Sequence, residues 1–299
     1  MNYNCIDLFC GSGGLARGFH STNIKTVFAN DFDKEISNSY KTNFPNTPFI
    51  EGDISSLNYN EISNNHNIQP EKIDVIIGGP PCQGYSMANR KRIEEDERNL
   101  LFLEFIRCVL YFKPKCFLIE NVVGMKGESI NHKNKNTSVL SAINDYFDNI
   151  NEVKYKIGFR TFKSEEYGVP QFRRRIILIG TRIDSKKSDL ELGIIGNLLK
   201  SHKSIEGVRK EKQRQNQISL LDSITNPTSS IVKEPITIWD AISDLPDIES
   251  GDGSKKMEYA STPQNNYQEL MREKSNIVFN HISTPHSEET LKRIKLIKQ

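Results

Sequence analysis

The stretch Cys5-Ile-Asp7-Leu-Phe9-Cys-Gly11-Ser-Gly13-Gly14-Leu-Ala16 decides how the chain folds. A β-leaning run, residues 5–9, leads straight into a turn that holds three glycines. Glycine lets a backbone turn tightly and come close to a ligand. Gly11, Gly13 and Ala16 satisfy the G-x-G-x-x-G/A pattern of strand–turn–helix nucleotide sites. Outward from this stretch the same alternation continues. Short apolar runs occupy residues 26–30, 73–77, 116–119 and 174–180. Between them lie helical spacings: Ile36, Tyr40 and Phe44 recur every four residues, and Val139, Leu140, Ile143 and Phe147 share one helical face. Residues 99–112 are apolar nearly all round, which predicts a well-buried helix closed by Pro114. Strand–helix alternation of this kind predicts an α/β fold with a doubly wound, mostly parallel sheet. Ligands of such sheets bind outside the C-terminal ends of the strands.

A chain of 299 residues is long enough for one large domain or two ordinary ones. With 40 Lys+Arg against 38 Asp+Glu, the net charge of +2 excludes a strongly basic, histone-like binder but leaves room for a local basic face. The five cysteines, Cys5, Cys10, Cys82, Cys108 and Cys116, are odd in number and show no C-x-x-C spacing, which argues against a zinc ribbon or a disulfide framework. Cys5, Cys108 and Cys116 lie in apolar runs and read as buried small residues. No metal site is expected. The first residues show no signal-peptide pattern, and no run reaches the ~18 apolar residues of a membrane span, so a cytoplasmic protein is expected. Residues 1–184 read as one domain and 185–234 as a basic linker or insertion. Residues 200–217 hold six basic residues against two acidic, a solvated surface or a loop touching phosphates. Order returns at residues 235–246, and 235–299 read as an incomplete second region.

Chemistry-bearing residues cluster where strands end. Asp31, at the end of the second strand, can accept the hydroxyls of a ribose. Asp53, in Glu51-Gly-Asp53-Ile54, ends the next strand and could meet an adenine amino group. These residues alone leave both a nicotinamide cofactor and S-adenosylmethionine open. The run Gly78-Gly-Pro-Pro81-Cys82-Gln83-Gly-Tyr-Ser86 then places a cysteine in a loop stiffened by two prolines, a setting for a nucleophile. Glu120, in Glu120-Asn121-Val122, follows a buried strand and reads as a general acid. In Gln171-Phe-Arg173-Arg174-Arg175, an extended backbone would put Gln171, Arg173 and Arg175 on one face.

Taken together and in this order, the DLFCGSGG turn, Asp31, Asp53, Pro81-Cys82-Gln83, Glu120-Asn121-Val122 and Gln171-x-Arg173-x-Arg175 resemble the C5-cytosine DNA methyltransferase family. The resemblance covers roughly residues 6–180, with a weaker match through Trp239-Asp-Ala-Ile-Ser-Asp-Leu-Pro246. It implies an S-adenosylmethionine-dependent, Rossmann-like methyltransferase acting on double-stranded DNA, with base flipping, in a bacterial restriction–modification system beside a cognate restriction endonuclease. It implies Cys82 as the nucleophile at cytosine C6, Glu120 as the acid at N3, Arg175 as the holder of O2, and Arg173 as a supporting catalytic group. Phe9, Gly11, Gly13, Asp31, Phe32, Asp53, Ile54 and Pro81 are the implied contacts to S-adenosyl-L-methionine, whose product is S-adenosyl-L-homocysteine. Gln83, Ser86, Asn121 and Gln171 are the implied substrate contacts.

The variant of the family that methylates tRNA departs from plain PCQ in the cysteine loop, which this sequence keeps. Two later family motifs are not found. One scaffolds the target-recognition region, and the other is a G-N-S-like turn completing the cofactor site. Three expectations follow: one subunit of a split enzyme whose second subunit supplies target recognition, a truncated and catalytically silent member, or a chain that suffices alone.

Overall fold

Seven strands make one sheet in the order β3-β2-β1-β4-β5-β9-β8, in a computed structural model that describes residues 3–20, 22–81, 101–126, 129–132, 135–148, 153–183, 201–202, 204, 233–273 and 275–296. They are β1 (Tyr3–Leu8), β2 (Ile24–Asp31), β3 (Phe49–Glu51), β4 (Val75–Gly78), β5 (Cys116–Val122), β8 (Tyr155–Lys163) and β9 (Arg174–Arg182). β1 runs parallel to β2 and β4, β2 to β3, and β4 to β5, while β9 is antiparallel to β5. The expected mostly parallel sheet is therefore present. The order reverses between β1 and β4, and the crevice outside the carboxyl ends of these two strands is where such sheets bind ligands.

The strands read as apolar runs because both faces of the sheet are covered. All four residues of β4 are buried. Helix α4 (Leu101–Phe112) buries Phe102, Phe105, Ile106, Cys108, Val109 and Phe112. In α2 (Lys34–Asn43) and just beyond it, Tyr40 and Phe44 are buried as expected, whereas Ile36 lies at the surface. Ile143 and Phe147 of α5 (Val139–Asp148) are buried. Helices α1 (Gly14–His20) and α3 (Tyr59–Asn65) complete this part, with a small ribbon of β6 (Ser129–His132) and β7 (Lys135–Ser138).

One register pair is decisive for the core. Phe117 of β5 lies opposite Gly180 of β9, and a Cβ on Gly180 would sit 2.1 Å from the Phe117 ring. Phe117 is fully buried and packs on Phe147, Tyr155 and Phe105 with ring centroids 5.4, 5.2 and 6.1 Å away. The stack cannot yield without disturbing three neighbours. Gly180→Ala is expected to cost about 1–3 kcal/mol, the range for overpacking a filled core, read as a lower urea midpoint at an unchanged denaturant slope.

The chain divides into two compact units, Met1–Phe162 with Arg174–Leu199, and Lys163–Arg173 with Lys200–Gln299. Residues 163–173 group with the later unit, whereas the sequence reading sets its boundary at 184/185. The cause is local. The carbonyl of Glu166 accepts the amides of Ser201 and His202, each at 3.1 Å. Gly168, with φ +79°, leaves no room for a Cβ beside the His202 ring, 2.8 Å away. Most of the expected basic linker, 185–234, lies outside the described residues.

The second unit also holds α6 (Ile238–Ile242), the antiparallel pair β10 (Gly253–Glu258) and β11 (Ile277–Ile282), α7 (Asn266–Arg272) and α8 (Glu288–Lys295). Its described part is fastened by polar contacts. Arg272 pairs with buried Asp244 and stacks on Tyr259 at 3.6 Å. Buried Gln268 donates to the Asp240 carbonyl and Ser243 Oγ, both at 2.9 Å. No helix among the described residues is long and apolar enough to cross a membrane.

Candidate active site at the carboxyl edge of the sheet

At the reversal point the ends of β1 and β4 lie side by side, with Leu8 opposite Gly78. A Cβ on Gly78 would stand 2.5 Å from the Leu8 carbonyl oxygen, so only glycine lets the strands meet this closely. Each strand opens into a loop singled out by sequence, the glycine turn after β1 and the cysteine loop after β4.

The glycine turn is stapled from three sides. The Gly13 amide donates to the Cys10 carbonyl at 2.9 Å, and the Cys10 amide to the Asn30 carbonyl at 3.1 Å. The Gly11 amide donates to Asp31 Oδ2 at 2.8 Å, and Asp31 Oδ1 accepts the Asp33 amide at 3.1 Å. Asp31 at the end of β2 is thereby oriented toward the turn. Phe9 carries φ +51° and Gly11 φ +53°. A non-glycine residue in this region is unusual, and such strain collects at ligand sites. Gly13, at φ +91°, is needed for packing: a Cβ would fall 2.2 Å from the Phe44 ring. Over Gly11 and Gly14, by contrast, nothing among the described residues lies within 4 Å of a Cβ position, so they leave open space above the turn.

The other expected contacts follow at and beyond the ends of β2 and β3. Phe32 is 72% exposed. Asp53 caps the single 3-10 turn Ile54–Ser56, accepting the Ser55 amide and hydroxyl at 2.8 Å each, and these bonds hold its carboxyl below the usual range. Ile54 is buried and roots the turn in the core. An open turn, a carboxylate bonded to it, an exposed ring and a carboxylate just past the next strand suit a nucleoside with a charged tail.

Beneath the turn, Asp7 is wholly buried, and among the described residues neither side-chain oxygen makes a hydrogen bond of normal geometry. Burial first, then the nearby Asp31 charge, push its pKa well above the ordinary carboxyl range. The folded state therefore holds a proton that the unfolded chain releases near pH ~4. From that point up to the raised folded pKa, stability falls as pH rises. Asp7→Asn is neutral throughout, so it is expected to be more stable than wild type at pH 8, with the difference vanishing toward pH 4. Urea unfolding at both pH values checks this, and identical pH dependence in the two proteins would contradict it.

On the β4 side, the cysteine loop is described only as far as Pro81. Cys82, Gln83 and Ser86 lie outside the described residues. Its root is well defined. Asn121 Nδ2 donates to the Pro80 carbonyl at 3.0 Å, and Asn121 Oδ1 accepts the Val122 amide at 2.7 Å. Asn121 is buried; its Nδ2 holds the loop while its Oδ1 is satisfied within β5. Glu120 Oε2 lies 3.3 Å from the Cβ position of Gly79, and Glu120 Oε1 pairs with Arg175 Nε at 2.7 Å. Both side chains are mostly buried, at 30% and 23% exposure for Glu120 and Arg175. The pair arises from the β5–β9 register, which places Val122 opposite Arg175 and Glu120 opposite Ile177.

The expectation that Gln171, Arg173 and Arg175 share one strand face is corrected. β9 begins at Arg174, and Gln171 and Arg173 precede it, exposed, in the second unit. Ser164 pins them: its amide and hydroxyl donate to the Arg173 carbonyl at 2.9 and 2.8 Å, and its hydroxyl also reaches the Gln171 carbonyl at 2.9 Å. Among the described residues no group of three His, Cys, Asp or Glu could hold a metal ion.

The sequence profile of the C-5 cytosine-specific DNA methylases matches residues 3–299. The chain is 35% identical over 296 residues to the type II methyltransferase M.DdeI of Desulfomicrobium norvegicum, covering 99% of this chain and 61% of that protein. It is 32% identical over 257 residues to the type II methyltransferase M.AquIA of Picosynechococcus, covering 81% of this chain and 98% of the relative. A third relative, the type II methyltransferase M.AgeI of Thalassovita gelatinovora, is 34% identical over 92% of this chain and 59% of its own length. The chain thus spans about three fifths of M.DdeI and M.AgeI and nearly all of M.AquIA. A solved structure described as a prophage-encoded DNA modification methyltransferase (E. coli) superposes with a TM-score of 0.65 at 25% identity, covering 99% of this chain and 76% of that one.

Proposed function

The chain belongs to the C-5 cytosine-specific DNA methylase family, and from that membership we propose that it transfers a methyl group to C5 of a cytosine in duplex DNA, using S-adenosyl-L-methionine and leaving S-adenosyl-L-homocysteine. The relatives named type II methyltransferases support a role in a restriction–modification system in a bacterial cytoplasm, beside a cognate nuclease. The observation that carries the reading is the Glu120–Arg175 pair, held against Gly79 at the root of the cysteine loop.

Cytosine C5 is a weak nucleophile, so the chemistry starts at C6. The Cys82 thiolate adds to C6 of a base flipped out of the helix, and the electrons of the C5–C6 double bond move toward N3. Glu120 delivers a proton to N3, and Arg175 holds O2, so the developing charge meets fixed partners. C5 is then an enamine carbon. The cofactor supplies an electrophilic methyl group on a sulfonium. After transfer, N3 returns its proton to Glu120, water removes the C5 proton, the C5–C6 double bond re-forms and the Cys82 thiolate leaves. Arg173 supports the nucleophile and backbone phosphate, Gln83, Ser86 and Gln171 contact the substrate, and Asn121 sets the loop.

The residues that would hold the cofactor are the glycine turn at Gly11 and Gly13, Asp31, Phe9, Phe32, Asp53, Ile54 and Pro81, with Asp31 suited to ribose hydroxyls and the aromatic rings to a purine. The test is transfer of labelled methyl groups to long, sequence-diverse DNA by the purified chain, with nucleoside digestion and cofactor binding measured in parallel. Label in 5-methylcytosine, and none on tRNA, is the expected result. Cofactor binding without transfer assigns target recognition to a second polypeptide, and loss of both identifies an inactive member.

A further inference from the structure

We infer that Arg107 is the positioning residue for the Asp53–Ile54 turn, and hence for the adenine end of the cofactor; this rests on the reading of that turn as a cofactor contact. Arg107 lies on α4, a helix otherwise dominated by apolar residues. Its three nitrogens serve two segments. Nη2 donates to the Ile54 carbonyl at 2.6 Å and Nη1 to the Leu57 carbonyl at 3.1 Å. Nε pairs with Glu104 Oε2 at 2.7 Å, one helical turn away. The guanidinium lies over the Tyr59 ring, 4.5 Å from its centroid.

The geometry matters because the turn is so short. Ile54–Ser56 is a single 3-10 turn, closed by two backbone bonds, from the Ser56 amide to the Asp53 carbonyl at 3.0 Å and from the Leu57 amide to the Ile54 carbonyl at 3.2 Å. Bonds of this kind have poor geometry, and so short a turn is only weakly fixed by them. The planar fork of Arg107 takes the carbonyls on both sides of the turn at once, through charge-assisted bonds that a point charge cannot duplicate. Glu104 fixes the fork's direction and Tyr59 its plane. Asp53 and Ile54 follow rigidly: Ile54 is buried, and exposed Asp53 is anchored on Ser55 through one carboxylate oxygen. In sequence, α4 is also the first described element after the cysteine loop, so one side chain ties the helix following the nucleophile to the turn at the adenine.

The experiment compares wild type with Arg107→Met, Arg107→Lys and Tyr59→Leu. Affinity for S-adenosylmethionine and for adenosine is measured by calorimetry well below each melting temperature, and the KM for cofactor is separated from kcat. Arg107→Met is expected to weaken both ligands by about tenfold, the loss of one charge-assisted bond's worth of turn geometry, with kcat held within about twofold. Arg107→Lys, which can reach only one carbonyl, is expected to fall between. Tyr59→Leu leaves the hydrogen bonds in place and is expected to lower the melting temperature while keeping affinity. Wild-type affinity in Arg107→Met overturns the inference alone. So does an equal loss of affinity in Tyr59→Leu, since general loosening would then explain both. Failure of the wild-type protein to bind either ligand overturns the cofactor reading itself, and this inference with it.

Discussion

Exchanging Cys82 for serine is expected to abolish methyl transfer, with a loss on the order of 10⁴-fold or more, the scale at which removing a covalent nucleophile disables an enzyme. A serine hydroxyl is scarcely ionised near neutral pH, and a thiol is intrinsically the stronger nucleophile. The loop's root does not depend on the sulfur. Asn121 holds the Pro80 carbonyl and Gly79 abuts Glu120, so cofactor affinity and melting temperature should stay near wild type. Single-turnover transfer with calorimetric cofactor binding measures both quantities. Retention of more than a few per cent of the wild-type rate would remove Cys82 from the mechanism.

The second large effect concerns the ion pair. Glu120→Gln keeps the shape but cannot deliver a proton to N3, and a fall of about 10²- to 10⁴-fold in the single-turnover rate is expected. Arg175→Met removes the holder of O2 and also the ion pair it makes with Glu120 at 2.7 Å, so a loss of about 10²- to 10³-fold is expected. Arg175→Lys restores the charge without the fork and should recover only part of the rate. Because both groups act on one developing charge, the double variant should fall well short of the product of the single losses. Strict multiplicativity would mean the two side chains work on separate steps.

Much of this arrangement was legible in the sequence for a physical reason. Strands covered on both faces must be apolar throughout, and β4, buried at every residue, could not hide. The same holds for α4. β8 was not legible because Lys156, Arg160 and other polar residues interrupt it, and its burial is uneven. The β10–β11 pair was missed because it is almost wholly exposed, and the unit around it relies on Arg272, Asp244 and Gln268 rather than on periodic apolar faces. At the candidate site, Asp31, Asp53 and Glu120 stood out in sequence because they lie at or near the carboxyl ends of strands. Arg107 was not, because its partners are backbone carbonyls, and carbonyls leave no mark in a sequence. The extended reading of 171–175 failed at Gln171 and Arg173 because Ser164 captures their carbonyls and delays the strand to Arg174.

The most direct test of the central claim traps the covalent adduct. DNA carrying 5-fluorocytosine accepts the thiolate and the methyl group, but fluorine at C5 cannot leave as the proton does, so the enzyme remains bound. Peptide mapping by mass spectrometry, with S-adenosylmethionine present, is expected to find the methylated base on the peptide bearing Cys82, and no adduct in Cys82→Ser. An adduct on another residue, or 5-methylcytosine formed by the Cys82→Ser protein, would contradict the account.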